Sequence, residues 1–112
     1  MDEAEVRWLA LAMPEAVEQP HFERTSFRVR GRIFATLKPG EGGANLVLEP
    51  DYAAELADRY AGVVTPVTWG SLKGWVRVDL AAAPPGLLEE AIPLAWRRAA
   101  PKTLARALDA GS

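Results

Sequence analysis

Cysteine is absent and histidine occurs once, as His21. Without thiols the chain has no disulfide, no thiolate nucleophile and no zinc site built on sulfur. A single histidine restricts any Ser-His-Asp arrangement to that one position, and no nucleophile-elbow glycine pattern surrounds a serine. One histidine among scattered carboxylates also lacks a metal-ligand spacing such as Glu-x-x-His. No apolar run approaches the roughly 20 residues that cross a bilayer. Gly40, Gly42 and Gly43 lack the Gly-Lys-Ser/Thr ending of a phosphate loop and read instead as turn residues between strands. A non-enzymatic protein is expected, with no metal and no other cofactor.

What is present suits one ordinary globular unit. The 112 residues are 49% hydrophobic and 25% charged, which implies a single domain over residues 1–112 with one core. Met1-Asp2-Glu3-Ala4-Glu5 is acidic where a secretory leader would be basic, so a cytoplasmic location away from membranes is expected. The net charge of -2 conceals an uneven distribution. Residues 24–40 carry Arg24, Arg28, Arg30, Arg32 and Lys38 without an acid, and residues 91–108 carry Arg97, Arg98, Lys102 and Arg106 without one. Acidic stretches precede each of these basic blocks.

Periodicity yields the element order. Val6, Leu9, Ala10 and Met13 follow the spacing of one helical face, so a helix is expected from about Glu3 to Met13, closed by Pro14. Trp8 widens that face and is expected to pack. An acidic, proline-punctuated loop should follow, with His21 anchoring it to the core. Ser26-Phe27-Arg28-Val29-Arg30 alternates with a period of two, Gly31 supplies a tight reversal, and Arg32 to Leu37 returns as the second strand of a hairpin. After a turn over residues 38–43, Asn45 to Leu48 reads as a third strand. Glu49-Pro50-Asp51 opens a helix carrying Tyr52, Leu56 and Tyr60 on one face. Val63 to Thr68, weakened by Pro66, and Trp75 to Leu80 read as two antiparallel strands. In the C-terminal helical region Leu88, Ala91, Ile92, Ala95 and Ala99 share a face, and Pro93 and Pro101 are expected to kink or divide it. The class is α+β: a two-layer fold in the order α-β-β-β-α-β-β-α, with helices packed on an antiparallel sheet.

Phe27-Arg28-Val29-Arg30-Gly31-Arg32-Ile33-Phe34-Ala35-Thr36-Leu37, with Trp75-Val76-Arg77-Val78 and Ala95-Trp96-Arg97-Arg98, resembles the MmcQ/YjbR-like family. Met13-Pro14-Glu15-Ala16 and Pro20-His21-Phe22 support the likeness upstream, where Met13 stands in place of the family's more usual leucine. The resemblance covers nearly the whole chain. It implies a compact two-layer fold and no catalytic motif. Family members are described as DNA-binding from a similarity of fold to a phage transcription factor, an argument by analogy.

The basic blocks are the candidate site. On an alternating strand Arg28, Arg30 and Arg32 should form one cationic rib on the outer side of the hairpin, with Lys38 at its end. Arg98, Lys102 and Arg106 would align only if the helix passes Pro101 unbroken. The expected function is a DNA-binding module in which Arg28, Arg30, Arg32, Lys38, Arg98 and Lys102 grip duplex phosphates with little sequence specificity. The alternative is a protein-interaction or chaperone-like domain whose arginines receive an acidic protein partner; a solvated surface whose cations pair with the acids of residues 49–58 is the plainest reading. Convergence of both blocks on one surface favours nucleic acid, and placement on opposite sides favours the protein partner. Trp69 and Trp75 flank a glycine-bounded turn, where an indole either packs or stacks on a base or partner.

Overall fold

The computed structural model describes residues 2–67 and 73–111, with backbone only for the last two of these. The turn expected around Trp69 falls on residues 68–72, outside the described residues. Helix α1 spans Glu3–Leu11 and is capped by Asp2, whose carboxylate accepts a hydrogen bond from the Glu5 backbone N–H at 2.9 Å. Val6 and Ala10, one turn apart, are its buried residues. Trp8, two positions on from Val6, points elsewhere on the cylinder and is 72% exposed, contrary to the packing expected of it.

Residues 14–25, expected to be a loop, contain strand β1, Ala16–His21. It pairs antiparallel with β2, Arg24–Val29, through a turn at Phe22 and Glu23. Strands β3, Arg32–Leu37, and β4, Gly43–Val47, continue the meander. Helix α2, Pro50–Arg59, then leads to β5, Val64–Pro66, and β6, Trp75–Asp79. Helices α3, Leu87–Ala99, and α4, Lys102–Gly111, complete the described chain. The fold is α+β with a six-stranded antiparallel sheet ordered β1-β2-β3-β4-β6-β5. To the expected order it adds the edge strand β1, and Pro101 divides the C-terminal helical region as expected. Pro93 is accommodated inside α3, where the residue whose carbonyl loses its partner, Glu89, is exposed.

Both sheet edges carry a proline, Pro20 in β1 and Pro66 in β5. At an edge, the missing N–H costs no ladder bond and discourages pairing with another chain.

Helices α1, α2 and α3 lie on a single face. Helix α3 packs across β2, β3 and β4, α2 covers β5 and β6, and α1 sits against α3, β1 and β4. Phe27, Val29, Ala35, Leu37, Leu46, Val76 and Val78 from the sheet meet Leu88, Ala91, Ile92, Ala95 and Trp96 from α3, all buried. Each large apolar side chain so buried contributes about 1.5–3 kcal/mol. The Trp96 indole N–H donates to the Pro14 carbonyl at 2.9 Å, fastening α3 to the segment that follows α1.

Two local features set which residues face away from the helices. Phe27 stands opposite Ala35 but Arg28 stands opposite Ile33, so Phe34 is an extra residue in β3. This bulge turns Phe34 and Ala35 both into the core and leaves Ile33 with Arg28 on the other side. The β2–β3 hairpin closes on Arg30 and Gly31, both at positive φ (51° and 81°), as a type I′ turn requires.

Glycine is needed at positions 31 and 74 for different reasons. A Cβ at Gly31 would meet open space, whereas at Gly74 it would run into the backbone carbonyl of Leu48, and Gly74 is also at positive φ. Gly31→Ala is expected to cost about 1 kcal/mol from conformation alone, and Gly74→Ala clearly more. Chemical denaturation of the purified variants measures both. Equal losses would contradict the close approach at Gly74.

Candidate functional site

The face of the sheet opposite the helices has no covering layer among the described residues. Cross-strand partners share a face, and the register sets Ser26, Thr36, Asn45, Arg77 and Thr65 in one row across strands β2, β3, β4, β6 and β5. The neighbouring rows add the pair Arg28 and Ile33 and the pair Val47 and Trp75. Polar and cationic groups thus alternate with a few apolar ones over the uncovered surface.

A groove of about 290 Å³ runs over this face, lined by His21, Arg24, Ile33, Thr36, Asn45, Val67 and Trp75. Thr36 is only 6% exposed, and its Oγ1 has no hydrogen-bond partner among the described residues. Neighbouring Ser26 is satisfied: its hydroxyl donates to the Gln19 carbonyl at 2.9 Å and accepts from Arg28 Nε at 2.9 Å. The Arg77 guanidinium lies over Gly43, in the space a side chain at that position would fill. Arg24, Arg28 and Arg77 form no ion pair among the described residues. Arg24 and Arg77 both act on the Glu41 carboxyl, which is held below its ordinary range chiefly by a hydrogen bond from Lys38, with these two arginines adding to the effect.

Phe22 adjoins the groove. It is 95% exposed, sits at φ 58° in the β1–β2 turn, and meets the His21 ring edge-on at 4.9 Å. Together with His21, Glu23, Arg24 and Lys38 it lines a second depression at the groove's mouth. A phenylalanine at positive φ with almost no burial has no folding rationale.

The six residues expected to act together are not brought together. Arg28 lies on the uncovered face. Arg30 occupies the turn and is held by Glu15, Nε to Oε1 at 2.6 Å. Arg32 is paired with Val29, in a row belonging to the helix-covered side, and so cannot form a rib with Arg28. The turn and the bulge together break the simple alternation on which that rib depended. Lys38 is engaged by Glu41 at 3.0 Å and Glu23 at 3.5 Å. Arg98, on α3, faces Glu49 at 3.5 Å, the pairing that the solvated-surface alternative anticipated. Lys102 is exposed at the start of α4, beyond the break at Pro101, so the run Arg98, Lys102, Arg106 is not one helical stripe. The two basic blocks therefore lie on different layers.

Arg24 and Arg77 take the place of Arg30 and Arg32. Arg77 was legible in the alternation of Trp75 to Asp79, but Arg24 acquires its position only through the pairing of β2 with β1. His21, expected to anchor a loop, lines the groove instead, and Trp75 forms part of its wall. Among the described residues no group of three or more His, Asp or Glu side chains is placed to hold a metal ion.

The YjbR family model matches residues 11–98, which include the sheet, α2 and nearly all of α3. The chain belongs to the YjbR family. Among solved structures, this YjbR chain is similar to a Deinococcus radiodurans protein with a DUF419 domain, at 22% identity and a TM-score of 0.75, covering 85% of this chain and 75% of that one. A Pseudomonas syringae protein is similar at 13% identity and a TM-score of 0.66, with coverage of 88% and 99%. At these identities the likeness establishes the shared fold. No curated protein matches the chain.

The ion pairs around β1 make stability depend on acid. Glu15 is held below its ordinary value of 4.5 by the hydrogen bond from Arg30. Burial pushes Glu18 up, but hydrogen bonds from Arg7 and Thr25 outweigh it and hold that carboxyl low as well. A carboxyl lowered in the folded state contributes stability above its unfolded value and loses it as pH falls through the folded one. The melting temperature should therefore be flat from neutrality to about pH 5 and fall below it, with a shallower fall in Arg30→Gln. A melting temperature that rises between pH 5 and 3 would contradict these pairings.

Proposed function

We propose that this YjbR protein is a non-enzymatic, cytoplasmic nucleic-acid-binding module that holds phosphates on the uncovered sheet face through Arg24, Arg28 and Arg77. The observation that supports this reading is that three arginines without ion-pair partners among the described residues share one face of the sheet, opposite helices α1, α2 and α3. Arginine's planar fork suits phosphate oxygens. Helices α1, α2 and α3 pack on the opposite side of the sheet, so none of them is available on this face to read a major groove, and sequence discrimination should be small. Affinity should be modest and salt-sensitive, because Lys38 is already neutralised and the chain as a whole is weakly acidic. None of the helices described is long and apolar enough to cross a membrane.

A protein-interaction or chaperone-like role has its own observations. The basic blocks do not converge, and Trp8 and Leu11 on α1 are exposed, on the helical layer rather than on the sheet face. Edge pairing is an improbable route for such a partner given Pro20 and Pro66. Contact through α1, or an acidic partner on the same arginines, remains.

The salt dependence of DNA binding separates the two. Replacing Arg24, Arg28 and Arg77 together by glutamine should flatten the log-log slope by about two to three units, at roughly 0.9 per phosphate. Replacing Arg30 and Arg32 should change it little, since the first is ion-paired and the second lies in a helix-side row. If the wild-type protein binds neither duplex nor single-stranded DNA at about 50 mM salt, the nucleic-acid reading fails and the protein-partner reading takes its place.

A further inference from the structure

We propose that the groove beneath Trp75 receives one unpaired nucleotide, with the base between the apolar walls and its phosphate at Arg24. This rests on the reading of the uncovered face as a nucleic-acid surface and specifies the form of nucleic acid it takes.

The groove floor carries the polar information. Thr36 Oγ1 is buried without a partner, and the Asn45 side chain, its cross-strand neighbour, has no hydrogen bond among the described residues. A buried hydroxyl left unpaired is a desolvation cost that native structures rarely carry without a reason. The threonine hydroxyl donates and accepts, and the asparagine amide offers both an acceptor and two donors. Side by side they match the mixed donor and acceptor pairing edge that a nucleobase presents once it is unpaired.

The walls supply what a base face requires. Trp75, Ile33 and Val67 line the groove, and aromatic side chains hold single-stranded bases by stacking, with little regard to base identity. Ile33 is available only because the Phe34 bulge turns it out of the core. At about 290 Å³ the groove is at the small end of ligand sites, sized for one ring system rather than an extended molecule. Arg24 stands at the same groove and also borders the depression at its mouth, where Phe22 offers a second aromatic surface beside Lys38. Cations interleaved with exposed aromatics are the pattern of single-strand binding. A duplex hides both the face and the pairing edge of its bases, so it could use the arginines but not the groove.

The same chemistry is present in a free mononucleotide and in a single strand, and the test distinguishes them. The intact protein is titrated at about 50 mM salt with the four nucleoside 5′-monophosphates, short homopolymeric single strands and a duplex of matched length. Binding is read by anisotropy and by the amide and indole resonances of Thr36, Asn45 and Trp75. The key variant is Thr36→Val, which keeps the shape and removes the orphan oxygen. Single strands should bind several-fold more tightly than duplex. Thr36→Val should lower single-strand affinity about tenfold, leave duplex affinity unchanged, and raise the melting temperature of the free protein by a few degrees. A threonine serving only the fold would not show that opposition between affinity and stability. Trp75→Leu should weaken single-strand binding in parallel.

Mononucleotides that shift the three resonances as strongly as a strand does would assign the site to free nucleotides; shifts with strands alone would assign it to nucleic acid. Either supports the groove as a nucleotide site. Single-strand binding unaffected by Thr36→Val, or resonances of Thr36, Asn45 and Trp75 that stay fixed at saturation, would overturn the proposal. Duplex binding that depends on the arginines while Thr36→Val is silent removes the groove and keeps the phosphate-binding face. Mononucleotide binding lost in Thr36→Val, with no binding of duplex or single-stranded DNA, keeps the groove and removes that face.

Discussion

The structure depends on α3 lying across the middle of the sheet. Leu88, Ala91, Ile92, Ala95 and Trp96 seal one side of β2, β3 and β4, and the Trp96 indole is tied to the Pro14 carbonyl. With α1 and α2 filling the flanks of the same layer, the strands need to be apolar on only one side. That one-sided burial explains the alternation of β6, where Val76 and Val78 are buried while Trp75 and Arg77 stand on the other face. It also makes the second face a surface on which polar and charged residues cost the fold little.

Once that face is free, small backbone devices decide which side chains occupy it. The Phe34 bulge exchanges the side on which Ile33 emerges. Gly43 leaves room for the Arg77 guanidinium to lie flat against β4. The Arg30–Gly31 turn sends Arg30 toward Glu15, a residue that is itself at positive φ, and removes that arginine from the surface. Hence only Arg24 and Arg28 of the dense basic block at residues 24–40 stand on that face without an ion pair among the described residues, and Arg77 joins them from β6. Folding alone explains neither the orphan hydroxyl of Thr36 nor the exposed Phe22 with its backbone at positive φ, and both residues line the same groove region.

Much of this fold was legible in the amino-acid order because local period and burial agree there. The β2–β3 hairpin, β6 and the buried stripe of α3 were each marked by spacing and by glycine or proline at their ends, and Pro101 does divide the C-terminal helices. Strand β1 was not legible, since Ala-Val-Glu-Gln-Pro-His shows no alternation and an edge strand mostly open to solvent needs none. The arginine rib failed because counting by twos assumes an uninterrupted ladder, which a turn residue and a bulge both violate. Trp8 misled through its size: a nine-residue helix that buries Val6 and Ala10 has a narrow contact face, and Trp8 lies outside it. For Thr36 and Asn45 no signal exists in the chain order, because the groove arises from residues on five strands and the connections between them.

The central claim is that ligand meets this protein on the helix-free face of its sheet, and mapping amide chemical shifts during titration with a short single-stranded DNA tests it most directly. The expected result is a contiguous set of shifts at Arg24, Ser26, Arg28, Ile33, Thr36, Asn45, Trp75 and Arg77, with α1 and α3 unmoved. Shifts centred on Trp8 and Leu11, or none at saturating DNA, would contradict it.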